Sequence, residues 1–175
     1  MRVAVYCSAK DCIPEEYLVL GDAVGTWLGE HGHTLVYGGA TGGLMTRTSE
    51  AAKAAGAQVI GVIPPRIKAA RRLATHCDEL IEVANMSERK QAMRDIADVV
   101  VCLPGSYGTL DEMMDATSSG IVGEHHKPVL VLNYKGFYEP LKAQIEHMRA
   151  LRFIPEQEAY KPVFVNSLEE LYEKI

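Results

Sequence analysis

The chain is poor in the features that would mark several common protein classes. Its four cysteines, Cys7, Cys12, Cys77 and Cys102, have no C-x-x-C spacing and are too sparse for a disulfide scaffold, so reduced thiols are expected. No apolar run approaches a membrane span, and the run of about six apolar residues near the N-terminus is too short for a signal-peptide core. These absences predict a cytoplasmic protein without a membrane partner. Lysine and arginine form no long block and the net charge is −5, which argues against broad nucleic-acid binding through phosphate neutralisation. Any anionic ligand must be held locally. The six histidines have no H-E-x-x-H or comparable spacing, so no metal site is expected. There is no internal repeat, low-complexity segment or linker.

What is present is one alternating pattern in a chain of 175 residues, 47% of them hydrophobic, which fits a single domain over 1–175. RVAVYC, TLVYGG, QVIGVIP, DVVVCLP and KPVLVLN are short, valine-rich and apolar on consecutive positions, as strands covered on both faces are. Between them, residues 15–31, 44–55, 87–97, 109–119 and 138–150 read as helices. Residues 80–83 add a short strand, and Ser167 with Glu170 has the spacing of a capping box opening a last helix. The β-α order predicts an α/β fold, a Rossmann-like doubly wound parallel sheet with helices on both faces. Ligands in such sheets gather beyond the carboxyl ends of the strands, so the loops after the strands are the places to search.

Two of those loops are rich in glycine. YGGATGGLM carries four glycines between Gly38 and Gly43. It is either a tight strand-to-helix turn or an anion cradle built from backbone N–H groups. Gly38, Ala40 and Gly43 lack the middle glycine of the dinucleotide fingerprint, and the next strand ends in Val62-Ile63-Pro64 without the acid that would hold a ribose. The P-loop tripeptide Gly-Lys-Ser/Thr is missing as well.

The second loop, LPGSYGTLDE, leaves its strand at Pro104 and exposes backbone N–H groups around Gly105, Ser106 and Gly108 ahead of a helix expected to begin at Thr109. This can cradle one phosphate. Glu112 then has two readings, since Thr109-Leu110-Asp111-Glu112 is a T-x-x-E capping box and a catalytic carboxylate is the other use of the residue. In the preceding helix Met86, Arg89, Met93 and Ile96 share one stripe, so Arg89 is expected to face the core and to need a partner. A structural salt bridge to Asp78, Glu79 or Glu82 is one way to supply it. Lys90 and Arg94 read as solvated charges. The basic run from Arg66 to Arg72 reads as a solvated loop or as a mobile lid over the same edge.

The combination of YGGATGGLM, MSERKQAM and LPGSYGTLDE resembles the Lonely Guy (LOG) family of cytokinin riboside 5'-monophosphate phosphoribohydrolases, often mislabelled lysine decarboxylase. The resemblance covers about residues 3–140, and its sharpest element is R-K with P-G-G-x-G-T-x-x-E, matched by Arg89-Lys90 and by Pro104 through Glu112. It implies hydrolysis of the N-glycosidic bond of a purine nucleoside 5'-monophosphate, without a cofactor, by a homodimer with its sites near the subunit interface. It carries the catalytic roles to Arg89 and Glu112. It also implies a substrate- and phosphate-binding shell made of Gly39, Gly42, Gly43, Met86, Lys90, Gly105, Ser106, Tyr107, Gly108, Thr109 and Ser118. The chain departs from the family pattern at Ser106, Ser87 and Ser118-Ser119, of which the last two bear on the base pocket. The alternative of the same fold is a carrier that binds a nucleotide or molybdenum cofactor without turnover. A decarboxylase would need a lysine set for a Schiff base with pyridoxal phosphate, and none stands in such a setting.

Overall fold

The computed structural model describes residues 1–70 and 72–175. Its frame is one seven-stranded sheet of order β4-β3-β2-β1-β5-β6-β7, in which every neighbouring pair is parallel. The three central strands, β1 (Arg2–Tyr6), β2 (Thr34–Tyr37) and β5 (Val99–Cys102), are the valine-rich runs, and consecutive apolar residues are what a sheet covered on both faces requires. Outside them lie β3 (Val59–Ile63), β4 (Glu79–Glu82) and β6 (Val129–Leu132). The far edge is β7 (Val163–Val165), only three residues long and unanticipated because VFV has neither the length nor the pattern of a strand.

Alternation along β1 divides the core. Val3 and Val5 point into a layer with helices α1 (Glu15–Glu30) and α2 (Gly43–Ala54), whereas Ala4 and Tyr6 face a layer holding α4 (Met86–Ile96) and α5 (Tyr107–Ile121). A short α3 (Pro65–Ala69) follows β3, and α6 (Glu139–Ala150) and α7 (Leu168–Tyr172) complete the layers. Helices α1 and α2 press together where α1 has glycine: a Cβ on Gly25 would collide with the Thr48 carbonyl. The α7 cap differs slightly from expectation. Ser167 Oγ accepts from the Glu170 N–H at 3.2 Å, but the Glu170 carboxylate accepts from the N–H of Asn166 rather than of Ser167.

Strand order reverses between β1 and β5, so the loops after these two strands open beside each other at the carboxyl edge. The site is built there.

Candidate active site

Arg89 and Glu112 meet on the floor of a cleft of about 340 Å³ at this edge. Arg89 Nη1 donates to Glu112 Oε1 at 2.5 Å, with the side chains 3% and 4% exposed, and Arg89 Nε donates to the Val62 carbonyl at 3.1 Å. The partner of the core-facing arginine is therefore Glu112, and not Asp78, Glu79 or Glu82. Those three sit on or beside the β4 edge strand, away from the α4 face that Arg89 occupies. The guanidinium reaches the cleft because β2 ends in glycine: a Cβ on Gly38 would lie inside it.

The capping reading of Glu112 is overturned. The α5 helix begins at Tyr107 with Ser106 as N-cap, so its third position is Thr109, which is buried, and Glu112 lies farther along on the side that faces α4. Gly105 allows this early start, because any side chain there would collide with Thr109. Among the described residues no side chain caps α5, and the first-turn N–H groups of Tyr107, Gly108 and Thr109 have no helical acceptor; Gly108 and Thr109 line the cleft.

Burial pushes the Glu112 carboxyl above its ordinary value, and the Arg89 charge pulls it only part of the way back. Burial and the nearby Glu112 charge push the Cys7 thiol up as well, so this cleft-lining cysteine stays protonated and is no thiolate nucleophile.

The YGGATGGLM loop behaves differently from its partner. The Gly42 N–H donates to Thr46 Oγ1 at 2.6 Å and the Gly43 N–H to Asp11 Oδ1 at 2.7 Å, so the chain's own side chains occupy the acceptor positions a phosphate would take. Both glycines have positive φ and lie so close to the carbonyls of Ala9 and Lys10 that neither could carry a Cβ. Gly39, also at positive φ, packs on the backbone of Gly61 and Val62. None of these three glycines lines the cleft, where Ala40 is the loop residue; Gly42 and Gly43 border a separate pocket with Asp11, Thr46 and Arg72.

The other expected residues divide. Met86, Ser106, Gly108 and Thr109 line the cleft; Gly105 and Ser106 line an adjoining slot. Met86 is 43% exposed, contrary to its expected place in the core stripe, because it opens α4 at the rim. Lys90 turns to Asp111 (2.9 Å) and Asp115 (3.3 Å), and Arg94 to Asp115 (2.5 Å) and Glu124 (3.4 Å). Neither is a solvated charge, since the α4–α5 contact buries their stems. Tyr107 is 90% exposed, and Ser118 lies in a separate groove with Met114, Ile121 and Phe153.

In the basic run, Arg66 and Arg72 line the cleft and Arg72 Nη2 donates to the carbonyls of Ala9 (2.7 Å) and Thr41 (2.8 Å). This is a short helix and a tether rather than a loop in solvent; Arg71, in the same run, lies outside the described residues. Sequence reasoning missed Ser8 and Lys10, which follow β1 and line the cleft. Their signal was positional, since the loop after the central strand borders the place where strand order reverses.

A parallel sheet with an open helix N-terminus, an arginine and a carboxylate beyond its carboxyl edge defines an α/β protein with its cleft where such sheets bind small ligands. The comparisons with known proteins are narrower. The chain belongs to the LOG family: the family model, described as "possible lysine decarboxylase", matches residues 45–175. The cytokinin riboside 5'-monophosphate phosphoribohydrolase of Mycobacterium marinum is 38% identical over 169 residues, 96% of this chain and 89% of that protein. The one from Oryza sativa subsp. japonica is 37% identical over 155 residues, 89% of this chain and 64% of that protein. Among solved structures, the molybdenum cofactor binding protein of Rippkaea orientalis superposes with a TM-score of 0.74 at 23% identity, covering 98% of this chain and 93% of that one. The cofactor carrier of Chlamydomonas reinhardtii gives 0.70 at 21% over the same shares. These two share the fold.

Proposed function

We propose that the protein is a nucleoside 5'-monophosphate phosphoribohydrolase, which cleaves a purine nucleotide to the free base and ribose 5-phosphate. The observation that carries this reading is the buried Arg89–Glu112 pair on a cleft floor beside an uncapped helix N-terminus. The names of the relatives from M. marinum and O. sativa support the substrate class.

In this mechanism the α5 N-terminus, with Gly108 and Thr109, receives the 5'-phosphate and so fixes the ribose. The base lies toward Met86. As the C1'–N bond breaks, its electron pair leaves with the base and C1' gains oxocarbenium character, which the Glu112 carboxylate stabilises. Glu112 also takes a proton from a water whose oxygen bonds to C1', giving ribose 5-phosphate. Arg89 is always charged and donates no proton; it aims Glu112 and opposes the negative charge on the departing base. The base takes its proton from solvent at the cleft mouth. Asp111, the other candidate acid, is turned to Lys90 and does not line the cleft. Cys7 and Thr109 contribute shape and hydrogen-bonding capacity to the floor.

The reading extends to a homodimer in the cytoplasm. The surface beyond α5 exposes Val122 and Phe153, 74% and 80% accessible, next to the groove that holds Ser118, and a second copy is the occupant that would cover them. All four cysteines are free, as in a reducing compartment.

Incubation with AMP, N6-isopentenyl-AMP and other nucleoside monophosphates, followed by chromatography of base and ribose 5-phosphate, tests the activity. Release is expected to fall by about 100-fold or more in Glu112→Gln. No release from any of them by the wild-type protein would replace the hydrolase by a carrier.

A further inference from the structure

The loop after β1 is fixed at several points before any ligand arrives. Ser8 Oγ accepts from the Lys10 N–H at 3.2 Å, Arg72 holds the Ala9 carbonyl, and the Asp11 carboxylate is locked on the Gly43 N–H. Gly43 lies directly against the Lys10 backbone. Among the described residues the exposed Lys10 ammonium has neither an ion pair nor a hydrogen bond, a condition it shares with Arg66 of the same cleft, whereas Arg72 and Arg89 are both engaged within the protein.

The surroundings of Lys10 are divided. It lines the cleft together with Arg89 and Glu112, and it also lines the adjoining slot of about 230 Å³ with Ile13, Pro14, Tyr17 and Phe137. Ser8 and Ser106 are the other residues common to both spaces. Lys10 therefore stands at a threshold beside the first residues of α5. An anion at that helix N-terminus has donors in front and an apolar slot behind, where no charge would be solvated.

We propose that Lys10 is a ligand of the substrate's phosphate, supplying a full positive charge opposite the partial charge of the α5 N-terminus. The inference rests on the nucleotide-hydrolase reading and deepens it. The α5 backbone offers directional donors but only a fraction of a charge, whereas a phosphate monoester carries close to two negative charges at neutral pH. The YGGATGGLM loop then serves phosphate binding through a side chain it positions, rather than through its own N–H groups.

The test compares Lys10→Met, Lys10→Arg and Arg66→Met in the full chain, Arg66 being a second cation of the same cleft that does not border the slot. Loss of one charge-assisted contact predicts a rise in KM for AMP of roughly 10-fold or more in Lys10→Met, with little change in kcat. Lys10→Arg should recover most of it, and Arg66→Met should raise KM less than about threefold, as expected of a charge acting only at a distance. In the Glu112→Gln background, calorimetric titration should show the same loss of AMP affinity and an unchanged affinity for adenosine. An effect of Lys10→Met below about twofold, equal effects of the two methionine variants, or equal weakening of adenosine would each overturn the proposal. If the wild-type protein hydrolyses nothing, the hydrolase reading falls, while the AMP and adenosine titrations still decide the role of Lys10.

Discussion

Replacing both members of the Arg89–Glu112 pair should separate what it does for stability from what it does for chemistry. Each side chain is at least 96% shielded, and the guanidinium has one carboxylate oxygen and one carbonyl as partners. Truncating either member alone strands a charge in the interior, at a cost of about 3–5 kcal/mol. For a chain of this size each kcal/mol moves Tm by roughly 2–4 °C, so Glu112→Ala and Arg89→Ala should each melt about 6–20 °C lower. Arg89→Met with Glu112→Leu fills nearly the same volume with no charge to desolvate. That double variant should melt within a few degrees of wild type or above it, a strongly non-additive result. It should nevertheless release no base from AMP. Thermal melts followed by circular dichroism, with chromatography on the same samples, measure both. Single variants that melt less than about 2 °C low, or a double variant as unstable as the sum of its singles, would refute the claim that the pair is a desolvated ion pair.

The raised Glu112 carboxyl gives two pH signatures. The acid limb of kcat/KM should lie above the ordinary glutamate value of 4.5 and vanish from the residual activity of Glu112→Gln. A carboxyl raised on folding favours the native state most below its unfolded value, and that contribution is lost as pH rises through the folded value. Wild type should accordingly lose stability relative to Glu112→Gln across this window, as denaturant titrations at several pH values would show. Gly38→Ala should cut base release at least 10-fold, since its methyl group displaces the Arg89 guanidinium, whereas Gly25→Ala should lower Tm through the α1–α2 contact and leave the turnover of the folded fraction intact. If the proposed homodimer forms through this face, wild type should sediment as a dimer and Val122→Asp as a monomer; a monomeric wild type, or a variant that sediments as wild type does, would overturn that assignment.

Much of this architecture could be read from the sequence because its central strands are buried on both faces and cannot be mistaken for half-wet ones. Val99–Cys102 and Val129–Leu132 announce themselves by unbroken apolar runs. β7 could not be read, for an edge strand of three residues takes its definition from the neighbour it pairs with rather than from its own pattern. The site was legible in pieces. That Arg89 faces the core followed from helical periodicity, and that it needs a partner followed from electrostatics, but which carboxylate answers it depends on how α4 and α5 pack. Glu112 misled locally: its spacing from Thr109 suits a cap, and only the start of α5 at Tyr107 removes that use. The two glycine loops looked equivalent in composition. Their difference lies in Asp11, thirty-two positions before Gly43, which no local motif could have connected to it.

The path of Arg89 also bears on when this molecule can act. Its side chain leaves α4, passes the end of β2 at Gly38, hooks the carbonyl of Val62 on β3 and finishes on α5. A reacting centre stitched from four separated segments exists only once the sheet has closed around it. Nascent or partly opened chains therefore have no competent carboxylate to turn on the cell's nucleotides, and hydrolysis becomes a faithful reporter of native molecules in any mixture.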